Sequence, residues 1–169
     1  MRKLLASLLI TGSLLISVFA AQAVSLTPVG YWDQYDDKGQ LQSLVKIWQD
    51  KDELKGQVIK GFPVNGKAPN HYCTKCSGDF KDKRITDLTF IWGARYNSET
   101  GKWEGGHILD PNGGSVYKLI MSLTDNGQQL LVRGYLGISL FGRTQTWTRI
   151  TEKQMKEQLA QIKKEIGDQ

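Results

Sequence analysis

The sequence predicts an all-β fold: a single eight-stranded antiparallel up-and-down barrel followed by one C-terminal α-helix. Three observations carry this. From Val29 to Ile150, short runs alternate apolar and polar residues with the period of a half-buried strand. Most are separated by Gly-, Asn- and Asp-rich turns, and connections that short force neighbouring strands to lie antiparallel. After Ile150 the apolar period lengthens to that of a helix. Closing eight strands into a ring removes exposed sheet edges, with a two-sheet sandwich as the structural alternative.

Residues 1–23 read as a secretory signal. Arg2 and Lys3 supply the positive start, Leu4 to Ala21 is free of charge, and Ala21-Gln22-Ala23 has the small-x-small pattern of a cleavage site. An uncleaved anchor is the alternative, although Thr11, Gly12, Ser13 and Ser17 dilute the apolar run. With no Cys after the cut, the mature chain is expected to carry no lipid and to reside in the periplasm or outside the cell. It would keep 146 of the 169 residues, enough for one domain with a core. It would also lose two cations, leaving 20 basic against 17 acidic side chains, a net +3. Without a long basic run, nucleic acid is not an expected partner.

The barrel is expected over 24–150. Its candidate strands are Gly30–Tyr35, Leu41–Gln49, Glu53–Gly61, Ile85–Trp92, Lys102–Leu109, Ser115–Leu123, Gln129–Leu136 and Ile138–Ile150. Turns fall at Asp36-Asp37-Lys38-Gly39, Asn112-Gly113-Gly114 and Asp125-Asn126-Gly127. Gly137 is either a turn or a bulge in one long bent strand. Over 151–169, Thr151 and Gln154 form a capping box, and Met155, Leu159, Ile162 and Ile166 recur at helical spacing. The Lys and Glu residues of this helix read as its solvated face.

Cys73-Thr74-Lys75-Cys76 admits several chemistries. Ser77 stands where c-type haem attachment needs His, and a four-thiolate zinc site needs two further cysteines. A metal site with His71 as third ligand and a redox centre stay open. An oxidising compartment favours a disulfide stapling the loop between Gly61 and Ile85, worth about 2 kcal/mol by loop closure.

In a closed barrel the first strand pairs with the last. Trp32 of Gly30-Tyr31-Trp32 can therefore lie under Arg149 of Trp147-Thr148-Arg149, a cation–π plug at one end, as in the pattern with which lipocalins begin and end. Three stretches are more distinctive: Gly101-Lys102-Trp103-Glu104-Gly105-Gly106-His107-Ile108-Leu109-Asp110-Pro111, the run from Arg133 to Trp147, and Cys73-x-x-Cys76-x-Gly78. Together they closely resemble the bacterial exported family called domain of unknown function 2147. The resemblance implies a lipocalin-like barrel and no assigned activity.

If Trp147 points inward, alternation turns Gln145, Arg143 and Phe141 inward too, and Thr144, Thr146 and Thr148 outward. Tyr117, Leu119, Met121 and Leu123 form an apolar face on the sixth strand. An apolar interior with a polar cluster of Arg143, Gln145 and either Glu104 or Asp110 suits an amphipathic ligand bearing an acid group. An internal ion pair that merely closes the barrel is the competing reading. The candidate ligand-binding residues are Arg143, Gln145, Tyr117, Glu104 and Trp103. His71 and His107 have no evident nucleophile and no triad spacing. The expected function is a non-enzymatic carrier or sensor of a small apolar or amphipathic molecule. It needs no cofactor or metal and does not insert in a membrane once the signal is gone. A self-filled barrel acting through its loops is the alternative, and a Cys-x-x-Cys redox enzyme a third reading.

Overall fold

The computed structural model describes residues 26–124 and 126–167. The expected signal at 1–23 and Asp125 of one turn lie outside them, as does the side chain of Ile166. Eight strands form one closed antiparallel barrel in sequence order: β1 Gly30–Tyr35, β2 Leu41–Asp50, β3 Glu53–Gly61, β4 Thr89–Asn97, β5 Lys102–Leu109, β6 Val116–Leu123, β7 Gln129–Tyr135 and β8 Arg143–Ile150. β1 pairs with both β2 and β8, with Trp32 opposite Val45 on one side and Arg149 on the other.

Two strands depart by more than one residue from the sequence-based boundaries. Ile85–Asp87 is a turn of 3-10 helix, and β4 starts at Thr89 and runs on to Asn97. Gly93, at φ +75°, absorbs a kink that lets pairing continue through Ala94 and Arg95. β8 begins only at Arg143, because 136–142 is a loop containing a 3-10 turn over Ser139–Phe141.

The inner face is packed. Trp32, Val45, Leu54, Ile91, Ala94, Leu119, Met121, Leu130 and Trp147 are all 0% exposed. A side chain at zero exposure has no water-sized space against it on any side, so no calyx opens around these residues. An eight-stranded barrel is just wide enough to be filled this way or to hold one small ligand, and this core takes the first course.

At the end where β1 begins and β8 stops, the Arg149 guanidinium lies 4.2 Å from the Trp32 ring centroid. Its nitrogens donate to the carbonyls of Thr27 (2.7 Å), Val29 (2.9 Å) and Gly127 (2.7 Å), while Trp32 Nε1 donates to Pro28 O. Gly30 serves this clamp directly. Its φ is +138°, and a Cβ there would come within 3.0 Å of Arg149. The other end, open in the sense that this clamp does not close it, carries the connections 36–40, 62–88, 110–115 and 136–142.

Helix α1, Glu152–Gly167, starts with a reciprocal cap: Gln154 N donates to Thr151 Oγ1 (3.2 Å), and Thr151 N to Gln154 Oε1 (2.8 Å). Met155 and Leu159 pack with Leu44, Ile150, Tyr31, Ile59 and Phe62 on the barrel's outside. Beneath the helix, Asp33 is buried on the outer face of β1. It accepts from Gln158 Nε2 (3.0 Å) and Tyr35 OH (3.4 Å).

Candidate functional site

At the open end the inner face changes from apolar to polar. Gln34 lies two residues beyond Trp32 and so shares its face, as Gln145 shares that of Trp147. Gln34 Nε2 donates to Gln145 Oε1 (2.9 Å), Trp147 Nε1 donates to the same oxygen (3.3 Å), and Ser43 Oγ donates to Gln34 Oε1. This amide–hydroxyl layer caps the apolar core. Tyr117 and Ile108, paired across β6 and β5, stand half-buried on the same inner face.

Alternation from Trp147 therefore holds at Gln145 and fails at Arg143. The Arg143 side chain is 66% exposed and pairs with Asp37, 79% exposed, on the β1–β2 turn. Arg143 is the first residue of β8, with no strand layer above it. Its guanidinium leaves along the rim into water instead of enduring burial. It is neither an internal anchor nor half of a buried ion pair. Phe141, expected inward as well, sits in the loop and is 80% exposed.

Two further candidates lie elsewhere. β5 runs from the closed end toward the mouth, so Trp103 and Glu104 sit far from Gln145. Trp103 is buried opposite Met121 and tilted against Tyr96, with ring centroids 5.0 Å apart. Glu104 accepts from Asn97 Nδ2 (3.2 Å) and Thr100 Oγ1 (3.1 Å) in its own hairpin. Asp110 is spent on its turn, accepting from Asn112 N (2.9 Å). The structure thus joins Gln145 and Tyr117 at the mouth, separates Trp103 and Glu104 from them, and adds Gln34 and Ser43. Counting two from Trp32 would have found Gln34.

The long connection 62–88 folds back onto the core. Cys73 and Cys76 lie at disulfide-bonding distance, Cα atoms 5.3 Å apart, and are buried with Ile85 and Leu88 in the main apolar cluster. Cys73 Sγ reaches Pro111 O (3.4 Å), and the carbonyl of Lys75 passes so close to Gly114 that a Cβ there would collide with it. Among the described residues, no three His, Cys, Asp or Glu side chains converge as a metal site would require. His107 stacks on Trp92 (5.6 Å) on the barrel wall, away from the mouth layer, and His71 is exposed.

The most conspicuous feature of the open end is the β7–β8 loop. Leu136 (63%), Ile138 (60%), Leu140 (75%) and Phe141 (80%) all face solvent. Arg133, on the outer face of β7, holds the loop in place. Its Nε and Nη2 donate to Ser139 O (2.9 and 2.6 Å), Nη2 also to Leu140 O (3.1 Å), and Nη1 to Thr144 Oγ1 (2.8 Å). Gly142 lets the loop close down, since a Cβ there would meet Gly134 O and Tyr135 Cβ at 2.8 Å.

A closed up-and-down barrel with a guanidinium over tryptophan at one end and open loops at the other is a lipocalin-like barrel, an architecture associated with ligand binding in general. The chain belongs to the bacterial family described as "Uncharacterized protein conserved in bacteria (DUF2147)", which matches residues 30–149. Among solved structures it is similar to protein HP1028 of Helicobacter pylori, described as belonging to the lipocalin family. The two share 16% identity with a TM-score of 0.65, over 79% of this chain and 89% of that one. At that identity the likeness is one of fold. No curated protein matches the chain in sequence.

Proposed function

We propose that this is an exported, non-catalytic binding protein that engages an apolar or amphipathic molecule at the open end of the barrel, and not in a central calyx. The observation that carries this is the 136–142 loop. Four large apolar side chains stand in water on a segment held by Arg133, at the same end of the barrel as the Gln34–Ser43–Gln145 layer. Scattered exposed apolar residues are ordinary; four within six residues of one fixed loop mark an interaction site. A molecule with one polar end fits this order, its apolar part along the loop and its polar end toward the amides. Export is supported by the residue pattern of 1–23, and the non-catalytic reading by histidines placed on the wall and in a loop. The packed interior also favours a second reading, a self-filled barrel that meets another macromolecule through the same loop.

The test is native mass spectrometry of the purified protein together with binding of an environment-sensitive apolar dye. Dye binding should disappear in L140D/F141D while the melting temperature stays unchanged, since both side chains are in solvent. Dye binding that survives in this variant, or no binding by the native chain, overturns the reading.

A further inference from the structure

We propose that the open end docks on an anionic lipid bilayer, with loop 136–142 entering the interfacial zone and the cations behind it meeting lipid phosphates. This rests on reading the loop as the binding element and names its occupant.

The loop, Leu136-Gly137-Ile138-Ser139-Leu140-Phe141-Gly142, contains no charge. Part of its backbone is already paired inside the chain. Phe141 N donates to Ile138 O (3.4 Å) and Gly142 N to Ser139 O (3.1 Å), while Arg133 binds the carbonyls of Ser139 and Leu140. The carbonyls of Ile138, Ser139 and Leu140 thus all have partners inside the chain. A protein partner could supply such bonds itself. Hydrocarbon cannot, and a polar group left unpaired there is costly.

Behind the tip, the side chains are ordered as a bilayer interface requires. Tyr135 and Lys118 are paired neighbours on the outer wall, Arg133 lies next along β7, and Arg143 stands on the rim. Apolar residues at the tip with tyrosine and cations behind them match the depth profile from acyl chains to headgroups. The charge is complementary as well. Val116–Leu123, Gln129–Tyr135 and Arg143–Ile150 contain no carboxylate, so this wall of the barrel presents lysine and arginine without an acid of its own. Asp37, on the neighbouring β1–β2 turn, pairs with Arg143 in an exposed contact that a lipid phosphate can replace. Docking of this kind is peripheral. Among the described residues no helix is long and apolar enough to cross a membrane.

Co-sedimentation of the 24–169 chain with vesicles of phosphatidylcholine alone, or mixed with phosphatidylglycerol, tests this. Binding should favour the anionic vesicles, weaken with salt, and fall at least tenfold in L140D/F141D at unchanged melting temperature. Lys118→Gln should lower binding to anionic vesicles about fivefold, the effect of one interfacial cation, and leave binding to neutral ones unchanged. No partition into either vesicle overturns the proposal. If the apolar dye still binds at the loop in that case, the loop remains a binding element and only the bilayer is excluded. A dimer in solution that L140D/F141D converts to monomer overturns it in favour of a second copy as occupant.

Discussion

Asp33 sits under α1 with a carboxyl that burial pushes above the usual carboxylate range, against the opposing pull of hydrogen bonds from Gln158 and Tyr35. The folded state holds this proton more tightly than the unfolded chain. Its contribution is therefore full below the ordinary carboxylate pKa and is lost as pH rises through the raised value. Asp50, Asp52 and Glu152 act in the opposite sense, each pulled down by its hydrogen-bonded cation, Lys55, Arg95 or Lys156. Asp33→Asn should stabilise the protein at neutral pH, with the gain over wild type vanishing in acid. The new amide can also donate to Gln158 Oε1, which has no hydrogen-bond partner. Urea unfolding midpoints across that range check this, and a loss of stability at neutral pH would refute it. For Arg143→Met, removal of an exposed ion pair should cost less than about 1 kcal/mol, against the 3–5 kcal/mol expected of a buried one. Period-two alternation leads the sequence to an inward Arg143. It lacks the one fact that matters, that the strand begins at this residue and has only water above it.

At the scale of elements, β1, β3 and β5 are legible to the residue, because Gly-Asn-Asp turns or a short polar pair bound each of them. β4 and β8 are not. Ile85 and Ile138 look like strand starts by composition, yet both lie in segments whose shape is set by distant backbone. Ile85 N bonds to His71 O (2.9 Å), and the loop before β8 hangs on Arg133. Such contacts leave no period in the sequence. The mouth site suffered most from this, since its most exposed residues belong to a segment that reads as strand. The Cys-x-x-Cys segment depends on distant backbone in the same way, through Gly114. Gly114→Ala sets a Cβ against Lys75 O at φ +80° and should cost about 3 kcal/mol. Faster reduction of Cys73–Cys76 under mild reductant should accompany it; an unchanged reduction rate would mean the two loops are independent.

For the whole molecule, the packed interior makes a direct prediction. Met121→Ala removes a fully buried side chain from the middle of the barrel and should cost about 2–5 kcal/mol, leaving a dry apolar hole. Benzene should then raise the melting temperature of the variant and leave that of the native protein unchanged; an equal rise in both would mean that the native barrel already has room inside. The architecture and its closing pair are legible from Gly30-Tyr31-Trp32 and Trp147-Thr148-Arg149, whereas the filling depends on how eight inner faces fit and is written in no single run. The same closing pair has a consequence in time. Arg149 and the carbonyl it holds at Thr27 are 122 residues apart, so the contact that completes the ring carries one of the longest loop closures in the chain. Until β8 is available, the polypeptide can form hairpins but not a circle, and both outer strands keep a bare edge. Assembly is then late and all-or-none. A ribosome-released fragment that stops before Arg143 lacks β8 and has no half-built barrel to fall back on, only a row of hairpins open to their neighbours.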